Sequence, residues 1–219
     1  MAKSFEHWEW EEIDLTFDTR RLYKSRMLDE LLDLSNITIH PEEKAQIERL
    51  QEKLKMNVDD WNEDEIKSFF NIPIIEIINF SAPDYTTYKT FTQRNLIGKL
   101  TNIHGQIISL NGRVELLVSR GKQKPREPFF FFNEYKPEMK GKNDPLGQLL
   151  IAMLVGQSQN EEPITLYGTY IVGQNWRFIV LEGNHYIVSQ PFGAGNDNLW
   201  DIVKILKKIK MYIEQVSKV

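Results

Sequence analysis

The sequence predicts an α/β fold: a central mixed β-sheet flanked by helices, with a helical segment at the N-terminal end. Three observations carry this expectation. Residues Pro41–Met56 repeat apolar side chains at helical spacing. Residues Ile107–Lys136 hold β-prone runs separated by turn residues. An apolar helix, three further short strands and an amphipathic helix then follow, so helices and strands alternate along one chain.

A length of 219 residues suits one domain. Its expected parts are a helical N-terminal extension over 1–60, a core over 61–190 and a C-terminal helix over 191–219. In the extension, PEEKAQIERLQEKLKM places Ala45, Ile47, Leu50 and Leu54 along one face of an otherwise charged helix. Asn62 then stands before Glu63, Asp64 and Glu65. That is an N-cap followed by acids in the first turn, where the helix dipole favours negative charge. Pro73 is expected to close this helix or open the next segment.

In the middle of the chain, Ile107–Leu110, the dipeptide Asn111-Gly112 and Val114–Ser119 read as a hairpin with a two-residue turn. Gly121–Pro128 reads as a loop and Phe129–Lys136 as a strand. Asp144-Pro145 opens a helix, cap side chain first and proline at the first helical position. Leu146, Leu149, Leu150, Met153 and Leu154, with Ile151, Ala152 and Val155 opposite, make that helix apolar nearly all round, hence buried. Strands are expected at Leu166–Val172, Trp176–Leu181 and His185–Ser189. An amphipathic helix is expected over Asp197–Val216, with its lysines facing out.

Composition narrows the function classes. Hydrophobic residues at 41% are enough for a sizeable core. With no cysteine, disulfides and thiolate zinc sites are excluded. His7, His40, His104 and His185 lack ligand spacing, so any metal would be a hard cation held by oxygens. The opening Met-Ala-Lys-Ser-Phe-Glu does not resemble a signal peptide. The longest apolar run, Leu149–Val155, is too short to span a bilayer. A cytoplasmic location and no membrane partner are therefore expected. The net charge of −4 argues against a large non-specific nucleic-acid footprint, though not against an enzyme with a carboxylate-rich site. Neither the phosphate-loop motif nor the dinucleotide glycine fingerprint is present.

The strands Val114–Ser119 and Phe129–Lys136 hold the chemistry. Side chains alternate faces along a strand, so Glu134 and Lys136 share one. The connecting loop is centred near residues 124 and 125, which sets Glu115 close to Glu134, about 5 Å apart at Cβ if directly opposed. Opposed carboxylates repel unless a cation lies between them, and Mg²⁺ takes such oxygens together with waters and phosphate. Lys136 would orient water or neutralise developing charge. The alternative is a cross-strand salt bridge between Glu115 and Lys136 on a solvated face.

Val114-Glu115 followed by Asn133-Glu134-Tyr135-Lys136-Pro137 resembles the signature of the PD-(D/E)XK nucleases. Glu134-Tyr135-Lys136 matches the acid-X-Lys part. Glu115 stands at the first acid, where aspartate is commoner, and Val114 stands where the family often has proline. Asn62–Lys67 with Pro73-Ile74-Ile75 resembles the helix before the core strands in N-terminal domains of type I restriction subunits. Phe131–Gln148 looks like uncharacterised bacterial proteins assigned to this fold.

The resemblance implies a restriction-endonuclease-like core and a nuclease that hydrolyses DNA phosphodiesters. It implies Mg²⁺ (or Mn²⁺) held by Glu115, Glu134 and the Tyr135 carbonyl, with Lys136 activating water. Glu63 would approach the metal from the preceding helix, and Gln148 would touch the site from the helix after the motif. The bland alternatives are an exposed first-turn acid for Glu63 and a backbone-satisfied polar residue for Gln148. Lys140 and Lys142 are expected to meet substrate phosphates. Arg120, Lys122, Lys124 and Arg126 lie at the far end of the hairpin, roughly 20 Å away, and read as a solvated turn. The partner is then DNA, for a monomer or a homodimer. The competing class is a catalytically inactive nuclease-fold module that binds or assembles.

Overall fold

A computed structural model describes residues 2–84, 87–136 and 144–217. The chain begins with strand β1 (Lys3–Ser4), a 3₁₀ turn over Phe5–His7 and helix α1 (Trp10–Phe17). Strand β2 (Arg20–Leu22) and helices α2 (Arg26–Leu32) and α3 (Pro41–Asn57) follow. Helix α4 (Glu63–Ile66) runs through a π-helical turn over Lys67–Asn71 into α5 (Ile72–Ile78). The long strands β3 (Lys89–Thr101), β4 (Ile107–Arg120) and β5 (Arg126–Lys136) come next, followed by helix α6 (Pro145–Gln159). The chain closes with β6 (Leu166–Val172), β7 (Asn175–Glu182), β8 (His185–Val188), β9 (Phe192–Gly193) and α7 (Asn198–Val216).

The strands form one nine-stranded mixed sheet with a main path β1-β4-β5-β6-β7-β8-β2, β3 pairing β4 and β9 pairing β7. The β1–β4, β2–β8 and β5–β6 pairs are parallel and the others antiparallel. The fold is therefore α/β with a mixed sheet, as the sequence predicts. Each face carries its own core. On one, Leu116, Phe131, Tyr135 and Ile171 pack with Phe70, Ile74 and the α7 residues Ile202, Leu206 and Ile209. On the other, Leu117, Phe132 and Ile179 pack with the buried α6 and with Ile13 of α1.

The N-terminal segment departs from the helical expectation, because β1 and β2 both join the sheet. Two or three residues each are too few for period-two alternation to register in the sequence. Pro73 opens the next segment, the second of its two expected roles: it sits in the first turn of α5, and the helical path from Glu63 runs on into it. Proline cannot donate to the carbonyl four residues back, and the wide turn Lys67–Asn71 lets the chain pass that point without a break.

The expected turn at Asn111-Gly112 does not exist. Both residues lie inside β4, and the real β3–β4 turn is at residues 102–106, where Gly105 takes φ +75°. Gly112 is there because Phe5 packs on it: a Cβ at this position would stand 2.3 Å from the Phe5 ring. The glycine marks a close approach rather than a turn.

Asp144 caps two helices. One carboxylate oxygen accepts from Leu146 N–H at 3.0 Å, and the other accepts from Trp10 N–H at 2.8 Å at the start of α1. This fixes α1 and α6 together under the sheet. Among the described residues no helix is long and apolar enough to cross a membrane.

Candidate functional site

The sheet forks beside the motif residues. One edge of β4 is shared: β5 pairs with Leu116–Arg120, and β1 pairs with Leu110 and Asn111. Between these, residues 112–115 have no ladder partner on that edge among the described residues. The last β4–β5 pair is Leu116 opposite Asn133, so the register continued by one residue sets Glu115 opposite Glu134. The register shifts near Ser119 lie on the loop side and do not reach this pair.

Carbonyls alternate sides along a strand. The Lys136 carbonyl accepts from Gly173 N–H at 3.2 Å, on the β6 side. The Tyr135 carbonyl therefore points the other way, into the gap towards Glu115.

Phe132 packs in the α6 core and Tyr135 in the opposite one, so Glu134 and Lys136 lie on the α6 side of β5. Glu134 is 3% exposed. Lys136 Nζ stands 3.2 Å from its Oε1. Burial nonetheless pushes the Glu134 carboxyl up to about 8, opposed by Lys136 and helped by the charges of Glu115 and Glu6. One neighbouring ammonium does not offset removal from water, so the isolated site holds a proton at neutral pH. Gln148 is on α6, buried, and its Oε1 has no partner among the described residues.

Glu115 is held by two residues outside the motif. Lys67 Nζ stands 2.6 Å from its Oε2, and the Gln93 side-chain amide donates to the same oxygen. Gln93 has φ 55°, a left-handed conformation in mid-strand. The two strands kink together there. Phe91 and Leu96 lie in one core although they are five apart, and Val114 and Leu117 share that core although they are three apart. Regular alternation forbids both, so the side chains change faces at Gln93 and Glu115. This turns the Glu115 carboxylate towards the C-terminal end of the α4 helix, where Lys67 begins the π-helical turn.

Glu63 approaches from that helix. Asn62 caps it, its side chain accepting from Glu65 N–H at 3.0 Å while the Glu65 carboxylate accepts from Asn62 N–H at 2.8 Å. Glu63 is half-buried, and burial raises its carboxyl above the usual range. Asp64 and Glu115 push the same way, whereas Lys136 and Lys67 oppose. Thus Glu63 feels the charges of Lys136, Lys67 and Glu115, and Glu134 those of Lys136 and Glu115, which makes one charge cluster at the fork. But the Glu115 carboxylate turns to the Tyr135 side of the sheet with Lys67, and Glu134 lies on the α6 side, so the two acids do not share the face that strand alternation predicts.

The basic loop lies elsewhere: Arg120 pairs with Arg126 at the other end of the β4–β5 ladder, and Lys122 and Lys124 are exposed. Lys140 and Lys142 lie outside the described residues.

Sequence reasoning missed Lys67 and Gln93. Lys67 follows Glu63 by four, a spacing that shares a helix face and could have drawn it in. Gln93 carries no signal, because the alternation that would mark its strand is absent from the sequence.

The donor set of two carboxylates and a backbone carbonyl is all oxygen, which fits a hard cation such as Mg²⁺ or Mn²⁺. Among the described residues, no three histidine, aspartate or glutamate side chains converge closely enough to hold a metal ion. With Lys67 on Glu115, its ammonium occupies one of the donors a cation would need. No protein-family model and no curated protein matches this chain.

Proposed function

We propose that this chain is a metal-dependent nuclease that hydrolyses DNA phosphodiester bonds on a restriction-endonuclease-like core. One observation carries the reading: Glu115 and Glu134 stand on opposed strands at the fork of the sheet, with Lys136 at the end of the second strand and Glu63 entering from the helix before them. Glu115, Glu134 and the Tyr135 carbonyl would hold Mg²⁺ or Mn²⁺. Bound there, the ion supplies Lewis-acid activation of water and neutralises charge on the phosphate. Lys136 is the general electrostatic partner of the attacked phosphate, Glu63 bears on Lys136, and Gln148 offers an unpaired amide oxygen from α6.

Incubation of single-stranded and duplex DNA, and of RNA, with Mg²⁺, then with chelator, tests this. DNA cleavage that stops on chelation and resumes on readdition supports it. Cleavage indifferent to chelation, or none on any substrate, rejects it.

The second reading is a catalytically inactive nuclease-fold module that binds or assembles. The Lys67–Glu115 ion pair favours it, because that pair satisfies Glu115 without a metal.

A further inference from the structure

Beside the charge cluster lies a cavity of about 270 Å³, lined among others by Trp61, Glu63, Asn71, Tyr135, Lys136 and Ile171. Two of its lining residues bring buried polar atoms with no partner among the described residues. Asn71 is 3% exposed and its Oδ1 is unpartnered; Tyr135 is 4% exposed and its hydroxyl is unpartnered. Buried polar groups are ordinarily paired, and leaving one unpaired is costly. Asn71 also ends the π-helical turn, a local geometry frequent at functional sites.

We infer that this cavity receives one unstacked nucleobase of the DNA strand whose phosphate meets the Glu115–Glu134 site, a reading that rests on the nuclease proposal.

Four features fit that occupant. The volume lies just under the roughly 300–1,000 Å³ of sites for drug-sized ligands, which limits the occupant to about one ring system. Trp61 is half-buried and braced by Phe69, ring centroids 5.6 Å apart, and supplies an aromatic wall for stacking. Asn71 Oδ1 accepts. The Tyr135 hydroxyl, an unpartnered phenol, donates. One acceptor and one donor match a base edge, which carries both. Lys136 and Glu63 line the cavity and belong to the charge cluster, so a base inside would have its own phosphate beside Lys136. A substrate must therefore offer an unpaired nucleotide, from a single strand or by eversion from a duplex.

Binding without metal separates this inference from catalysis. In chelator, the deoxynucleoside 5′-monophosphates, deoxyribose 5-phosphate and a short single-stranded oligodeoxynucleotide are titrated into the full chain by ligand-observed NMR. At least one nucleotide should bind about tenfold more tightly than deoxyribose 5-phosphate, the effect of one well-made hydrogen bond or stack. The oligodeoxynucleotide should bind more tightly still. Tyr135→Phe, which removes only the hydroxyl, and Trp61→Ala, at a half-exposed position, should each shrink the base preference severalfold.

Equal binding of nucleotide and sugar phosphate overturns the pocket, whether or not the protein cuts DNA. An oligodeoxynucleotide no tighter than the mononucleotide overturns the strand as its source. A base preference in a protein that cuts nothing with Mg²⁺ upholds the pocket and rejects the nuclease reading.

Discussion

Lys67 reaches from the helix beginning at Glu63 to put its Nζ 2.6 Å from Glu115 Oε2, across 48 residues of sequence. The two side chains are 17% and 20% exposed, so the pair is largely shielded from solvent. It satisfies Glu115 without a cation, and under the proposed function it would compete with one.

Lys67→Met should release that competition. The variant should bind Mg²⁺ about tenfold more tightly than the wild-type chain, a difference of about 1.4 kcal/mol. Without metal it should lose about 1–3 kcal/mol, because Glu115 keeps only the Gln93 amide as a partner. Thermal melts over a Mg²⁺ titration give both quantities. A Mg²⁺ response unchanged from wild type would show that Lys67 does not contend for the site.

Glu134 ties stability to pH. Its folded carboxyl, at about 8, lies above the ordinary 4.5, so the folded state binds this proton more tightly than the unfolded chain. Its favourable contribution is complete below about 4.5 and is lost as pH rises through 8. Glu134→Gln cannot ionise. In chelator it should match wild type near pH 5 and be the more stable protein at pH 9. The gap should reach a few kcal/mol, since each tenfold difference in proton affinity is worth about 1.4 kcal/mol. Urea denaturation at the two values checks this. A difference that does not grow with pH would mean that Glu134 ionises freely in the folded chain.

Gly112 answers to Phe5. Gly112→Ala would bring a Cβ to 2.3 Å from that ring, and overpacking of this kind costs about 1–3 kcal/mol. Phe5→Ala should remove most of the added penalty, so the double variant should lose less than the sum of the two single losses. Additive losses in urea melts would disprove the contact as the cause.

The same residue shows what the sequence made legible. Asn111-Gly112 between apolar runs carries the signal of a tight turn, and only the distant Phe5 shows that the glycine serves packing inside a fourteen-residue strand. Strand β3 was illegible for a related reason. Only Phe91 and Leu96 are buried deeply along it, and the kink at Gln93 puts them on one face at a spacing that is not a strand's. The elements that did stand out carry strong local signals: the Asn62 cap, the Asp144-Pro145 helix start, the FFFF run and the lysine-faced α7. At the site, strand alternation made Glu134 and Lys136 legible as neighbours, and the loop centre made the Glu115 register legible. The two partners of Glu115 come from a helix and a strand that no short motif joins to it.

The central claim is that Glu115, Glu134 and Lys136 form a site that uses a divalent cation to cut DNA. Its most direct test is the single-turnover cleavage rate with Mg²⁺ of the wild-type chain beside Glu134→Gln and Lys136→Ala, each confirmed as folded by circular dichroism. The account predicts wild-type cleavage and a loss of at least about a hundredfold in each variant. A wild-type rate in both variants would contradict it.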